Sequence, residues 1–245
     1  MDGSWEDAVE LQRRFGSAPA VDVLTAALKD LFRGKIAVVS SFGADSAVLL
    51  HFVSKVDPAT PVLFIDTGRH FPETLDYRDL LIARLGLEDV RNIRPSAEEA
   101  GRLDPDLNRA AWDPDGCCAF RKVAPLERAL QDFSAWISGR KRFQAATRVD
   151  LPVFEADGAH IKINPLAGMS AADLSAYIER HKLPPHPLVA QGYSSIGCAP
   201  CTSPVREGED ARAGRWRGLA KTECGIHQTT RQSLGQVRNG AQPRR

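Results

Sequence analysis

The sequence predicts an α/β fold with a doubly wound, mainly parallel sheet. Two short apolar runs rich in β-branched residues, Ile36–Ser40 and Pro61–Ile65, are each followed by a turn and then by a segment of helical length. Strands that alternate with helices in this way form parallel sheets with helices on both faces. The order of the elements therefore predicts the fold class before any motif is considered.

Each further element follows from its local pattern. Apolar residues at helical spacing predict helices, and short apolar runs predict strands. Asp157-Gly158 predicts a hairpin turn, and Ser170 with Asp173 forms a capping box that opens the last helix. In chain order, the sequence predicts helices at 5–15 and 21–32, strand 36–40, helix 46–53, strand 61–65, helix 73–85, strands 89–94 and 134–138, hairpin strands 153–154 and 160–163, and a helix that ends near His181.

Composition excludes several classes of function. The chain has 245 residues, with 32 Lys and Arg against 31 Asp and Glu, so its net charge is +1. This balance gives no electrostatic reason to expect binding to nucleic acid or to a membrane surface. The apolar runs are shorter than the roughly 18 residues that cross a bilayer, and no secretory signal is readable at the amino terminus. We therefore expect a cytoplasmic protein with neither partner, and leave assembly into a homo-oligomer open.

The sequence divides into three parts. Residues 1–35 are expected to form N-terminal helices, residues 36–205 the α/β domain, and residues 206–245 a C-terminal tail. After Arg206 the content of glycine and charge rises while the apolar periodicity fades. This change predicts a mobile basic tail rather than a second core.

The turn after the first strand is a candidate anion site. Ser41, Phe42 and Gly43 lie in the segment Ser40–Ser46, which leads into the next helix. A glycine turn that feeds a helix amino terminus, at the carboxyl end of a parallel strand, offers free N–H groups to phosphate or sulfate. It is not a Walker loop, because no Gly-Lys-Ser/Thr follows. An ordinary turn that binds nothing is the alternative.

The loop after the second strand, Asp66–Glu73, is also polar. It contains Thr67, Gly68 and Arg69, and its position next to the first loop predicts that the two line one crevice. Alternatively, Asp66 and Thr67 only cap the helix that follows.

Four of the five cysteines form two pairs. Cys117 and Cys118 are adjacent, and Cys198 and Cys201 form a C-x-x-C motif. In a reducing compartment such pairs indicate a centre with four cysteine ligands, either zinc or an iron–sulfur cluster. Neighbouring side chains diverge by about 100° on a helix, so a wide cluster is easier to reach than a single ion. Buried cysteines that act as small apolar residues are the alternative.

The fifth cysteine, Cys224, has basic neighbours. Lys221 and His227 lie close to it in the sequence, and nearby cations lower the pKa of a thiol. Cys224 is therefore a candidate nucleophile, and a stray exposed thiol is the alternative.

Further basic residues favour an anionic ligand. They follow the first cysteine pair, the fourth strand, and the start of the tail, where Arg212 and Arg215 would share one face of a helix. Each taken singly is an ordinary surface charge. The candidates are Lys122, Arg140 beside Gly139, Arg148, Arg212 and Arg215.

Together these motifs resemble the phosphoadenylyl-sulfate reductase family, in its assimilatory adenylyl-sulfate reductase branch. The matching segments run in order from about residue 36 to residue 227. In the wider ATP pyrophosphatase superfamily the first turn reads Ser-Gly-Gly-x-Asp-Ser, and Phe42 replaces the first glycine here, which favours the reductase branch. The matching segments are Ser41–Ala44, Ile65–Arg69, Pro72–Thr74, Cys117-Cys118 with Arg121-Lys122, Cys198–Cys201, Gly214–Trp216 and Lys221–His227.

The resemblance implies a reaction in two halves. The thiolate of Cys224 attacks the sulfur of adenylyl sulfate, AMP leaves, and a thiosulfonate remains on the cysteine. A thiol of thioredoxin or of a glutaredoxin-like reductant then releases sulfite, within sulfate assimilation and cysteine biosynthesis. The same resemblance implies a sheet of the adenine nucleotide alpha hydrolase-like (ATP pyrophosphatase) type.

It further implies a cofactor and a set of binding residues. One 4Fe-4S cluster would be held by Cys117, Cys118, Cys198 and Cys201, with Lys122 between the cluster and the substrate, and family members with the cluster generally take adenylyl sulfate. The residues expected to bind the substrate are Ser41, Phe42, Gly43, Thr67, Gly68, Arg69, Lys122, Gly139, Arg140, Arg148, Arg212, Arg215 and His227.

Three other functions stay open at this point. The nearest is the same chemistry on phosphoadenylyl sulfate. The second is an iron–sulfur ATP pyrophosphatase that thiolates tRNA, against which Phe42 and the near-neutral charge both count. The third is a zinc-bearing interaction module with no catalytic activity.

Overall fold

The structure is a computed structural model that describes residues 5–219 and 221–227. Its centre is one six-stranded sheet with the order β3-β2-β1-β4-β6-β5. Neighbouring strands in it are parallel, except for the antiparallel pair β5 and β6. This confirms the predicted doubly wound α/β class. The strands are β1 (Ile36–Ser40), β2 (Val62–Ile65), β3 (Val90–Ile93), β4 (Ala135–Ile137), β5 (Phe154–Asp157) and β6 (His160–Ile163).

Helices cover the sheet and bury its central strands. Every residue of β1, β2 and β4 is buried, as expected for strands covered on both faces. The helices of the described chain are α1 (Trp5–Phe15), α2 (Ala20–Thr25), α3 (Ser46–Val56), α4 (Pro72–Leu85), α5 (Ala97–Leu103), α6 (Arg109–Trp112), α7 (Pro114–Cys118), α8 (Ala124–Leu130) and α9 (Ala171–His181), with short 3₁₀ turns at Arg142–Gln144, Ala146–Arg148, Pro187–Gln191, Ala199–Cys201 and Gly225–His227.

The predicted second helix differs in form. Its first part is α2, but Ala26–Leu31 is π-helical, and the N–H of Phe32 donates to the carbonyl of Ala27, 3.1 Å away. Val23, Leu24 and Ala27 are fully buried in the core. The wider turn keeps their apolar face on the sheet while the chain leaves the helix towards β1.

The predicted hairpin is present and widens the sheet. Asp157 pairs with His160 across the turn, where Gly158 has a φ of 64°. Strand β6 then runs parallel to β4, with Ile163 opposite Ile137. The hairpin thus adds two strands to the sheet, and one of its strands extends the parallel part.

The segment between β3 and β4 carries four helices for which the sequence pattern gave no prediction. A capping box between Ser96 and Glu99 starts α5. The first cysteine pair lies at the end of α7, and the π-helical turn Ala119–Val123 follows it with Arg121 and Lys122. This segment therefore places thiols and cations next to each other.

The C-terminal segment packs against the α/β domain as far as His227. Trp216 is 3% exposed and Cys224 is 9% exposed, in a small apolar cluster with Cys118. Residues 1–4, Ala220 and residues 228–245 lie outside the described residues, so the mobility of the tail and the three-part division of the chain stay predictions. Within the part that is described, no helix is long and apolar enough to cross a membrane.

Candidate active site

A cavity of about 400 Å³ opens at the carboxyl ends of β1, β2 and β4. The chain leaves β1 to one side for β2 and later returns on the other side for β4, and ligands of open α/β sheets bind at such a reversal. The turn after β1, the end of β2 and the turn after β4 form one wall, which we call the sheet wall. Residues 211–216 and 223–227 contribute to the opposite wall, which we call the tail wall.

Ser41 and Gly43 of the first turn line the cavity, as predicted, but Phe42 does not. Phe42 has a φ of 48°, in the left-handed region that normally favours glycine. Its ring is fully buried and meets Phe64 edge to face, with the ring centroids 5.5 Å apart. Its packing offsets a backbone cost of about 1–2 kcal/mol. Phe42 therefore supports the turn from the side of the core and does not line the cavity.

An acidic side chain that the sequence analysis did not nominate occupies the same turn. The carboxylate of Asp45 accepts hydrogen bonds from Lys141 Nζ and Gln144 Nε2, both at 3.0 Å. Lys141 is 2% exposed, and burial lowers its pKa while Asp45 opposes the shift. These contacts tie the turn after β1 to the turn after β4, so the sheet wall is one connected unit.

The loop after β2 lies over the second cysteine pair. Thr67 Oγ1 is 3.3 Å from Cys198 Sγ, and the carbonyl of Arg69 accepts from the N–H of Ala199 at 2.8 Å. Thr67, Gly68 and Arg69 are not among the residues that line the cavity. Their predicted role in substrate binding stays a prediction. From this loop His70 reaches the cavity instead, and it was not predicted.

The two cysteine pairs meet beneath this loop. Cys117, Cys118 and Cys198 are buried, and Cys201 packs against the two small apolar clusters that contain Cys117 and Cys118. Burial raises the pKa of Cys117 and of Cys201. Four thiols from two distant segments thus share one interior region, and their predicted role as cluster ligands stays a prediction. Among the described residues, however, no group of three or more His, Cys, Asp or Glu side chains is arranged to hold a metal ion.

A short backbone pairing brings the tail wall to the cysteines. The N–H of Ser203 donates to the carbonyl of Gly214 at 2.8 Å, and the N–H of Trp216 donates to the carbonyl of Cys201 at 3.0 Å. A side chain at residue 214 would collide with the backbone of Ser203, so this close approach requires glycine. The pairing sets Arg215 and Trp216 beside the C-x-x-C turn.

Cys224 lines the cavity next to the cysteine centre. A hydrogen bond from the Cys118 thiol is the largest influence and holds the pKa of Cys224 well below its usual range. Burial acts in the opposite direction, while Lys122, the N–H of Ile226 and Arg215 lower the pKa further. Cys224 is therefore set up as a thiolate, which is the nucleophilic form of cysteine.

Lys122 lies between the cysteines and the cavity. Burial alone would lower its pKa, but Cys198, Cys224 and Cys118 outweigh burial and raise it. A lysine in these surroundings keeps its charge, and it faces a thiolate on one side and the cavity on the other. The role predicted for Lys122 as a bridge of charge stays a prediction.

The predicted arginines divide into two groups. Arg148 donates to both carboxylate oxygens of Glu223, at 2.6 and 2.7 Å, and Arg212 donates to Glu223 at 3.3 Å. Arg140 pairs with Glu155. Arg215 stacks over the Trp216 ring at 4.5 Å and has no carboxylate partner among the residues described.

Buried polar atoms without a protein partner mark where a ligand would bind. Among the described residues, such atoms on the cavity lining include His70 Nδ1, Arg215 Nε, Trp216 Nε1 and His227 Nδ1. Buried polar groups in proteins nearly always have a partner. The arginine and the indole supply donors only, so the missing partner accepts hydrogen bonds, as an anion does.

Of the fourteen residues predicted for catalysis or substrate binding, ten line one cavity and four do not. The cavity also takes in residues that the sequence analysis missed, including Asp45, His70, Lys141, Gln144, Trp216 and Glu223. Most of these missed residues are charged or aromatic and lie in or next to the matched motifs, and this is the signal by which the sequence could have identified them. The residues brought together are Ser41, Gly43, Lys122, Gly139, Arg140, Arg148, Arg212, Arg215, Cys224 and His227, and those outside are Phe42, Thr67, Gly68 and Arg69.

Comparisons with known proteins agree with one another. The model of the family described as "phosphoadenosine phosphosulfate reductase domain" matches residues 35–204 of the chain. A relative named adenosine 5'-phosphosulfate reductase, from Mesorhizobium japonicum, is 52% identical over 92% of this chain and 89% of its own. One named phosphoadenosine 5'-phosphosulfate reductase, from Gloeobacter violaceus, is 44% identical over 80% and 83%. The crystal structure of a phosphoadenylyl-sulfate reductase from Candida auris, in a phosphate complex, superposes with a TM-score of 0.69 at 29% identity, over 82% of this chain and 98% of that one.

Proposed function

The chain belongs to the phosphoadenosine phosphosulfate reductase family, and from that premise we propose that it is an oxidoreductase that converts adenylyl sulfate to sulfite and AMP. The observation that carries the proposal is the position of Cys224, a thiol in the wall of a cavity that also contains Lys122, Arg212 and Arg215. The family match ends at residue 204. The role of Cys224 therefore rests on this geometry and on the resemblance of the segment Lys221–His227.

In the first half-reaction the Cys224 thiolate attacks the sulfur of the substrate. A new S–S bond forms, the S–O bond to AMP breaks, and AMP leaves with the electron pair. The sulfuryl group is anionic, so a thiolate approaches it only if cations reduce the repulsion. Lys122 and Arg215 are placed for this task because both face Cys224 and the cavity.

In the second half-reaction the thiosulfonate on Cys224 is reduced by thiols. One thiolate of thioredoxin or of a glutaredoxin-like protein attacks the Cys224 sulfur and expels sulfite, and a second thiol frees Cys224 by closing a disulfide. Because Cys224 is only 9% exposed, the tail wall must open for this step. A cytoplasmic location, where such reductants are present, is part of the proposal.

Adenylyl sulfate is the preferred substrate of this proposal, and phosphoadenylyl sulfate is the second candidate. Both substrate names occur among relatives that are more than 40% identical to the chain. Two relatives named for adenylyl sulfate are 52% and 53% identical to the chain.

We also assign a 4Fe-4S cluster to Cys117, Cys118, Cys198 and Cys201. The donor set fits, because four thiols from two segments converge in the interior and 4Fe-4S clusters use four thiolates. When bound, the cluster would tie the two segments together and add fixed negative charge. As a ligand, Cys118 would be deprotonated, so Lys122, Arg215 and the N–H of Ile226 would then be the groups that stabilise the Cys224 thiolate.

Sulfite release from adenylyl sulfate with thioredoxin tests the function. We expect turnover by the wild type and a loss of at least about 1000-fold in Cys224→Ser, since removal of a nucleophile abolishes the covalent route. A parallel assay on phosphoadenylyl sulfate compares the substrates. Full turnover by Cys224→Ser would reject the assigned nucleophile.

Metal analysis of the purified protein tests the cofactor separately. Iron with acid-labile sulfide is the expected result, and it should be lost in Cys198→Ser. Stoichiometric zinc without iron would reject the cluster.

A further inference from the structure

Two arginines expected to bind the substrate hold a carboxylate of the same chain. Arg148 donates from Nε and Nη2 to the two oxygens of Glu223, at 2.6 and 2.7 Å, in a bidentate pair. Arg212 adds a longer contact at 3.3 Å. The third donor group of Arg148, Nη1, binds Gln144 Oε1 at 2.7 Å. The Arg148 guanidinium is thus engaged on every nitrogen by the protein itself.

This pair is largely removed from water. The side chains are 7% exposed for Arg148, 15% for Glu223 and 15% for Arg212. A bidentate pair between an arginine and a carboxylate is strong and directional, and removal of one partner leaves a buried charge unpaired. The pair between Arg148 and Glu223 is therefore buried enough to hold the C-terminal segment in place.

The ion pair is important because of where Glu223 lies in the chain. Glu223 directly precedes Cys224. On the other side of the nucleophile, Lys162 Nζ donates to the carbonyl of Ile226 at 3.4 Å, and the His227 ring lies nearly parallel to Trp136, with the centroids 6.3 Å apart. Cys224 is held between these two attachments, and the charged one is the stronger.

We propose that Glu223 is a positioning residue: its carboxylate, bound by Arg148 and Arg212, latches the C-terminal segment shut with Cys224 in the cavity wall. The inference rests on the proposed function, in which Cys224 must face the substrate in one half-reaction and a protein reductant in the other. The strength of the latch sets the balance between the two positions of Cys224.

A latch predicts opposite effects on the two half-reactions. In Glu223→Gln, AMP release in a single turnover without reductant should fall by about tenfold or more, because charge-assisted pairs of this kind are among the stronger ones. Reduction of Cys224 that already carries the thiosulfonate should be as fast as in the wild type or faster. A defect in folding alone would slow both.

Limited proteolysis measures the opening of the C-terminal segment and requires no catalytic step. The Lys221 side chain is 6% exposed and pairs with Asp115, so trypsin should cut after Lys221 slowly in the wild type. We expect this cut to be about tenfold faster in Glu223→Gln and in Arg148→Gln, and no faster in the double variant than in either single one.

Glu209→Gln is the matched control, because it neutralises another carboxylate of the same segment that pairs with the exposed Arg217 outside the cavity. It should match the wild type in both assays. The proposal is overturned if Glu223→Gln is cut no faster than Glu209→Gln, or if both half-reactions fall together. If the wild type releases no AMP from adenylyl sulfate, the proposed function fails, and the proteolysis still decides whether the latch exists.

Discussion

The sheet wall of the cavity rests on a continuous apolar core, whereas the tail wall rests mainly on charged pairs. Behind the sheet wall, β1, β2 and β4 are buried at every position. The tail wall rests on the small apolar cluster of Cys118, Trp216 and Cys224, and its Ile226 also packs against the sheet. Apolar burial is lost only when the whole domain unfolds, but an ion pair can exchange its partner for water or for a ligand.

This difference suits a reaction that needs one fixed and one movable wall. The nucleotide must be held in the same place throughout, and the sheet wall provides that. Cys224 must change its surroundings between the half-reactions, and the tail wall carries it. Substitutions in the two walls should therefore change different measurements: the free energy of unfolding for the sheet wall, and catalysis or local opening for the tail wall.

The largest expected effect comes from the core behind the sheet wall. Phe64 is fully buried and supports the left-handed turn at Phe42. Phe64→Ala should lower the free energy of unfolding by about 3–5 kcal/mol, because it removes a buried ring and leaves a cavity. Urea unfolding measures this, and Phe64→Leu should lose less. A loss below about 1 kcal/mol would mean that the core does not support this wall.

The next effect is a pH dependence at His186, which packs against α4. His186 is 1% exposed; its Nδ1 accepts from the N–H of Leu188, and its Nε2 lies 3.1 Å from Thr74 Oγ1. Burial lowers the pKa of His186 to about 4, from 6.5. A second proton would break the bond to Leu188.

The unfolded chain therefore binds this proton first as the pH falls. The contribution of His186 to stability is complete above pH 6.5 and is lost between pH 6.5 and about 4, in total about 3 kcal/mol. Urea unfolding across this range should show the loss in the wild type and a flatter profile in His186→Gln. Parallel profiles for the two proteins would contradict the assignment.

In the site itself, Lys122→Met should act on catalysis more than on stability. Removal of the cation that faces Cys224 should slow AMP release in a single turnover by about 100-fold, the usual cost of losing one preorganised electrostatic contact. Lys55→Met, at an exposed lysine of α3 outside the cavity, is the control and should react at the wild-type rate. Equal rates for the two variants would remove Lys122 from the site.

The fold was largely predictable because its signals are local. The helix at Trp5–Phe15 and the strand at Ile36–Ser40 have the predicted bounds, since each is specified by its own period of apolar residues. The helices between β3 and β4 were not predicted. They are short, and α5 contains no buried residue, so they carry little apolar periodicity.

Site residues were predictable only where a short sequence motif indicates the chemistry of the residue within it. Cys224 and Lys122 were found through their neighbours in the sequence. Glu223 was read as part of a motif, but its partner Arg148 is 75 residues away, and nothing local announces that pairing. The converse holds for Thr67: the motif suggested the cavity, but the backbone pairing of His70 with Cys198 turns this loop towards the cysteines.

The smallest expected effect separates the buried pair of the tail wall from an exposed pair of the same C-terminal segment. Arg217 donates to both carboxylate oxygens of Glu209, at 2.9 and 2.7 Å, in geometry as good as that of Arg148 with Glu223, but its side chain is 41% exposed. Water replaces the lost contacts of an exposed pair. Arg217→Gln should therefore leave the urea midpoint, the rate of AMP release and the tryptic cut after Lys221 at wild-type values. A faster cut would mean that many surface pairs share the work of closing the tail, and that Glu223 holds no special place among them.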